Sequence, residues 1–277
     1  MAKKKKPPYA KGRGRCIFCG GGGVRGNPMS DEHLWPIWMH PHLPRIPNAK
    51  NWTAAISETF DSTETLRKKP RMGHVFTKKL KLVCKKCNET WMGEIEEDAK
   101  PILLPVIQGK RFLLDHDNRI KLATWLILKF LVADNDKDTS PISSKDILTA
   151  FFERREFPER IKIWIAHHNE FQWSAGCWNR GLTISFEPKP PRSGLRKNVQ
   201  TVALGVGHLF SLSCLSLTER INLEINNPFT AQLWPSDFSV IEWPPPLIPP
   251  GGTGAIANVL DRLEANPNVK WGKPDNS

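Results

Sequence analysis

Cys16-Ile17-Phe18-Cys19 and Cys84-Lys85-Lys86-Cys87 form two Cys-x-x-Cys pairs, with Ser30-Asp31-Glu32-His33 between them and Asn88 directly after the last cysteine. Two cysteines three apart can grip one ion from a single tight turn. Two such pairs complete the tetrahedral thiolate set of a structural zinc. That zinc has no use for Glu32, His33 or Asn88. These three are of the types that a hydrolytic site needs. An imidazole is neutral near physiological pH and accepts a proton from water, while a carboxylate and an amide oxygen are hard ligands for a divalent cation. Phosphodiester hydrolysis asks for that pairing of base and cation. Taken singly, a Glu-His dipeptide reads as a surface acid beside a satisfied histidine, and an Asn as a helix N-cap. The expectation rests on the combination.

The combination resembles the HNH family of nucleases (His-Me finger, or ββα-metal, fold), in the branch clasped by a four-cysteine zinc. The family pattern runs CxxC, then Asp-His or Glu-His near a strand end, then CxxC-Asn opening a helix. Here it reads Cys-Ile-Phe-Cys-Gly, Asp-Glu-His-Leu-Trp-Pro and Cys-Lys-Lys-Cys-Asn-Glu-Thr-Trp-Met. The run from Cys87 to Met92 is also similar to bacterial and phage proteins labelled HNH-like. The likeness covers roughly residues 14–100.

The resemblance implies a metal-dependent endonuclease acting on DNA. His33 is then the general base, Glu32 and Asn88 hold Mg²⁺ or Mn²⁺, and Cys16, Cys19, Cys84 and Cys87 hold structural Zn²⁺. Neighbours in a strand face opposite sides, so Glu32 and His33 can serve metal and water separately if the strand ends there, which Pro36 favours. One helical turn past Asn88, where many members carry His or Asn, stands Met92, a poor ligand for a hard cation. His74 is the candidate replacement. The rival reading of the same residues is a catalytically inactive zinc protein that binds DNA or RNA.

Charge supports a polyanionic partner. The net charge is +12, and residues 1–15 carry seven Lys/Arg with no acid, while residues 16–90 carry twelve against six. The remaining 187 residues carry 21 against 22, so the whole excess lies on the third that holds the motifs. Lys68, Lys69, Arg71, Lys79, Lys81, Lys85 and Lys86 are the expected backbone contacts. No apolar run reaches a membrane span: the best, residues 120–133, is short and contains Lys121 and Lys129. The N-terminal lysines lead into Pro7-Pro8 rather than an apolar stretch, and four of six cysteines lie in CxxC pairs. A cytoplasmic protein is expected.

The elements that must position these residues follow from patterning. Residues 75–83 alternate apolar and basic and read as a strand delivering Cys84, and a helix is expected from Asn88 to about Lys100, closed by Pro101. Residues 36–72 are rich in Pro, Asn, Ser and Thr and read as an inserted loop, either solvated or touching nucleic acid. Helices are expected at 120–133 and, capped by Ser144, at 144–156. Strands are expected at 161–165, 171–178, 182–186, 200–206, 209–217 and 238–243. The expected fold class is α+β: a zinc-clasped ββα-metal module, then a helical segment and a small antiparallel β-rich domain. In residue terms this gives a disordered basic arm over 1–15, the nuclease-like module over 16–100, an α+β accessory domain over 101–243, and a Pro/Gly linker with a short helix over 244–277.

Overall fold

The computed structural model describes residues 14–43, 79–136, 141–170, 175–182 and 197–259, together with the backbone of short strands between 50 and 72 and at 269–270. The basic arm up to residue 13, Lys68, Lys69, His74 and the side chain of Arg71 lie outside the described residues.

β1 (Glu32–His33) runs into a 3₁₀ turn (Ile37–His42); β2 (Lys50–Asn51), β3 (Ala54–Thr59), β4 (Ser62–Arg67), β5 (Arg71–Met72) and β6 (Lys79–Leu80) follow. A helical segment kinked at Thr90 then comprises α1 (Lys85–Cys87), a π turn (Asn88–Met92) and α2 (Gly93–Ile107). Next come β7 (Phe112–Leu114), α3 (His116–Asp134) and α4 (Lys145–Arg154). The chain continues through β8 (Ile161–His167), β9 (Ala175–Leu182), β10 (Val199–Val206) and β11 (Leu209–Ser216). It closes with β12 (Glu224–Ile225), β13 (Thr230–Trp234), β14 (Ile241–Trp243), α5 (Gly252–Ala257) and β15 (Val269–Lys270). This is a mixed helix-and-sheet architecture of the α+β kind. No helix among the described residues is long and apolar enough to cross a membrane.

The largest sheet has seven strands in the order β13-β8-β11-β10-β9-β3-β4. Neighbouring strands in it are antiparallel except that β3 runs parallel to β9. Alternation along β8 explains how it is covered. Ile161, Ile163 and Ile165 face the core shared with α3, while Trp164 and Ala166 face a second cluster with Phe210, Ile248 and Ala257. α3 is the central helix. It is apolar nearly all round because it is packed nearly all round, and Asp115 caps it by accepting from the Asn118 N–H at 2.8 Å.

Several expectations need correction. Residues 36–72 are not simply a loop, because β3 and β4 form a hairpin that extends the large sheet. The helix expected to stop at Pro101 runs on to Ile107, with Pro101 and Pro105 inside it. A proline inside a helix costs about 3 kcal/mol. Here Ile102, Leu103, Val106 and Ile107 are buried, at roughly 1.5–3 kcal/mol each, and burial wins. Accordingly no break marks residue 100: one apolar cluster runs from Cys16 and Phe18 through α2 and α3 to Ile163, Val202 and Trp243. Residues 175–182 form a single strand, β9, while 171–174 and 183–186 of the two strands expected there lie outside the described residues; β13 is a further strand that the pattern does not predict. The expected linker at 244–252 is packed on the sheet, with the Ile248 N–H donating to His167 O at 2.9 Å.

The buried Arg119 of α3 holds the turn after β13. Its guanidinium donates to Gln232 O at 2.9 Å, Ser239 O at 2.5 Å and Asp237 Oδ1 at 2.7 Å. Arg119→Met leaves carbonyls without donors, at about 1–3 kcal/mol for a buried group. We expect an unfolding free energy lower by about 2 kcal/mol, seen by circular dichroism as a lower urea midpoint with an unchanged m-value.

Candidate functional site

The two cysteine pairs meet because the chain around them is laced together by backbone hydrogen bonds. Ile17 N donates to Leu82 O at 2.9 Å, Ser30 N to Val83 O at 2.8 Å, and Lys85 N to Pro28 O at 2.8 Å. Asn27 Oδ1 accepts from Lys86 N at 3.1 Å, which fixes the second pair against the first loop. Gly22 has φ +93°, and a Cβ there would lie 2.5 Å from Cys84 Cβ, so only glycine lets the first loop approach this closely.

All four Sγ atoms lie within 4.8 Å of one another, with Cys19 and Cys84 Sγ 3.7 Å apart. Sulfurs about 2.3 Å from a common tetrahedral centre are separated by about 3.8 Å. The set therefore fits a structural zinc. Burial raises the thiol pKa at Cys16 and, more strongly, at Cys87. At Cys84 burial is outweighed by hydrogen bonds from the Cys87 backbone and the Asn27 side chain, which bring it down to about 7. Thiols enclosed in this way ionise together only around a cation, and zinc supplies one.

β1 pairs antiparallel with β6, Glu32 opposite Leu80 and His33 opposite Lys79. Glu32 and His33 therefore diverge. His33 is half-buried on the outer side, and burial followed by the Lys79 and His40 charges holds its imidazole below the ordinary value, so it is neutral at pH 7. Glu32 is buried and does not present a free carboxylate. Its Oε1 accepts from Lys129 Nζ at 3.1 Å, and that ammonium also donates to Glu96 Oε1 at 2.8 Å. Burial alone would lower the Lys129 pKa, but Glu96 and Glu32 outweigh it and hold the group charged.

Asn88 is not a helix N-cap: it lies within the kinked helical segment, directly after α1, and its Nδ2 donates to Ser30 Oγ at 2.9 Å. Met92 is packed in the core, as its thioether suggests. Lys79, Lys81, Lys85 and Lys86 are all exposed. Two of them make loose surface pairs, Lys81 with Asp31 at 3.5 Å and Lys85 with Glu89 at 3.7 Å, which contribute little and leave the lysines free to re-pair with phosphate.

Lys129 and Glu96 were missed from the sequence. The signal was there: a lysine in the middle of an apolar helical stripe must find carboxylates or leave the core. Which carboxylates it finds is a matter of tertiary structure.

Comparison with family models, with curated proteins and with solved structures returns no match. The reading therefore rests on the residues themselves.

Zinc analysis of the purified protein is expected to give one ion per chain. Cys84→Ser is expected to lose it and to melt well below wild type. Trp91 packs edge-on to Phe18 at 4.9 Å between ring centroids, so its fluorescence should report the same loss on chelation. A variant that keeps its zinc and melting temperature would remove the clasp.

Proposed function

We propose that this chain is an HNH-type endonuclease that hydrolyses phosphodiester bonds in DNA, built on a zinc-clasped ββα module. The observation that carries this reading is His33: a neutral, outward-facing imidazole on the strand paired with β6, cross-strand from an exposed lysine, on the stretch of chain between the two cysteine pairs that cluster together. A neutral imidazole in that setting can take the proton of an attacking water. Lys79 stands opposite His33 on β6, Lys81 follows that strand, and Lys85 and Lys86 lie on α1; exposed, they supply affinity for a phosphate backbone without reading sequence.

A catalytic Mg²⁺ or Mn²⁺ would lower the charge on the phosphate and the leaving oxygen. The residues present fit such an ion incompletely. Asn88 offers Oδ1, since its Nδ2 is on Ser30, but Glu32 is committed to Lys129. His33 and the lysines do the rest: they accept the proton and hold the backbone.

The occupied Glu32 and the buried Met92 favour a second reading, a zinc protein that grips nucleic acid without cutting it. One experiment separates the two. Supercoiled plasmid is incubated with zinc-loaded protein, with Mg²⁺, with Mn²⁺ and with chelator, beside His33→Ala. Nicking that needs the added cation and falls by about 10²-fold or more in the variant, with gel retardation unchanged, is the expected result. Salt-sensitive retardation by both proteins without any cleavage, across DNA and RNA substrates, would establish the binding protein instead.

A further inference from the structure

We propose that Lys129 is a positioning residue for His33, acting from α3 through the main chain and neighbour of the base. The proposal rests on His33 being the base. An ammonium has three N–H donors, and each donor of Lys129 has an acceptor: Glu32 Oε1 at 3.1 Å, Glu96 Oε1 at 2.8 Å and the backbone carbonyl of His33 itself at 3.5 Å. Its side chain is 0% exposed, so water competes for none of them.

The strand that carries His33 is only two residues long, and its partner β6 is equally short. Two residue pairs restrain a strand end weakly. Beside the buried Leu34 and Trp35 that follow it, β1 is held from the inside by Lys129, which binds the side chain before His33 at 3.1 Å and lies 3.5 Å from the carbonyl of His33. Its remaining donor reaches Glu96 on α2, in the helical segment that starts at the cysteine clasp. The base is thus tied to the zinc-anchored helix through a single cation. Because Glu32 points inward to that cation, alternation along β1 turns the His33 side chain outward.

Stability is a weak reason for such a group. Replacing a buried ion pair by apolar side chains of similar volume is often neutral or stabilising, and Trp125, Leu126, Leu128 and Phe130 around it on α3 are apolar and buried. Holding a catalytic side chain to within about 0.5 Å is a stronger one.

The test removes the charges together, so that none is left buried alone. Glu32→Gln/Lys129→Met/Glu96→Gln is prepared in the full chain beside wild type, with histidines labelled for NMR and the His33 signal assigned by His33→Ala. The triple variant is expected to keep its zinc and fold, to show a shifted or broadened His33 ring signal, and to cleave with kcat lower by about 10²-fold at unchanged KM. A wild-type ring signal and wild-type kcat in the triple variant would overturn the proposal and leave the network a packing device. If wild type cleaves nothing, the nuclease reading falls, while the ring signal still decides whether Lys129 orders His33. Should the triple variant fail to fold, Glu96→Gln, which alters only the partly exposed acceptor, is read on the same signal with the same two outcomes.

Discussion

A lysine ammonium can enter an apolar interior only if carboxylates go with it, because the uncompensated charge would cost several kcal/mol after all relaxation. Lys129 is such a group, on a helix buried nearly all round. Its need for acceptors draws together a two-residue strand and a helix of the segment that begins at the cysteine clasp. The position of His33 follows from that requirement. So does the inward turn of Glu32, which takes the carboxylate out of reach of solvent.

The cysteine clasp acts at the other end of the same helical segment. Its two loops approach to within a Cβ contact at Gly22, and Asn27 ties one to the backbone of the other. The π turn just beyond the clasp lets Cys87 face the sulfurs while Trp91 and Met92 face the core. Trp91 then meets Phe18, Phe151 and the guanidinium of Arg155 at 4.4 Å. The cysteine cluster, the aromatic contacts and the lysine network thus meet one helical segment from three directions.

The seven-stranded sheet gives this arrangement a rigid backing. It buries both faces of β10 and β11, and one apolar core continues from it into the clasp region. The charge asymmetry of the chain has a structural counterpart here, with exposed lysines on the clasp-side strand and helix and a nearly neutral remainder.

The sequence by itself determined the local features. CxxC spacing predicts two sulfurs gripping one ion from each turn, because that grip is local, whereas the meeting of the two pairs depends on contacts 65 residues apart. The caps at Asp115 and Ser144 and the alternation of Ile161, Ile163 and Ile165 are local for the same reason, and only the Ser144 cap and that alternation were anticipated. The tertiary structure decided what depends on partners distant in the chain. Proline rules end a helix at residue 101 until burial of its second half outweighs them, and a polar, Pro-rich stretch reads as loop until a sheet edge offers β3 a partner. Above all, Glu32 has the chemistry of a metal ligand in one dimension. Lys129, 97 residues further on, gives it a different occupation, and nothing in the local pattern around Glu32 encodes that charge.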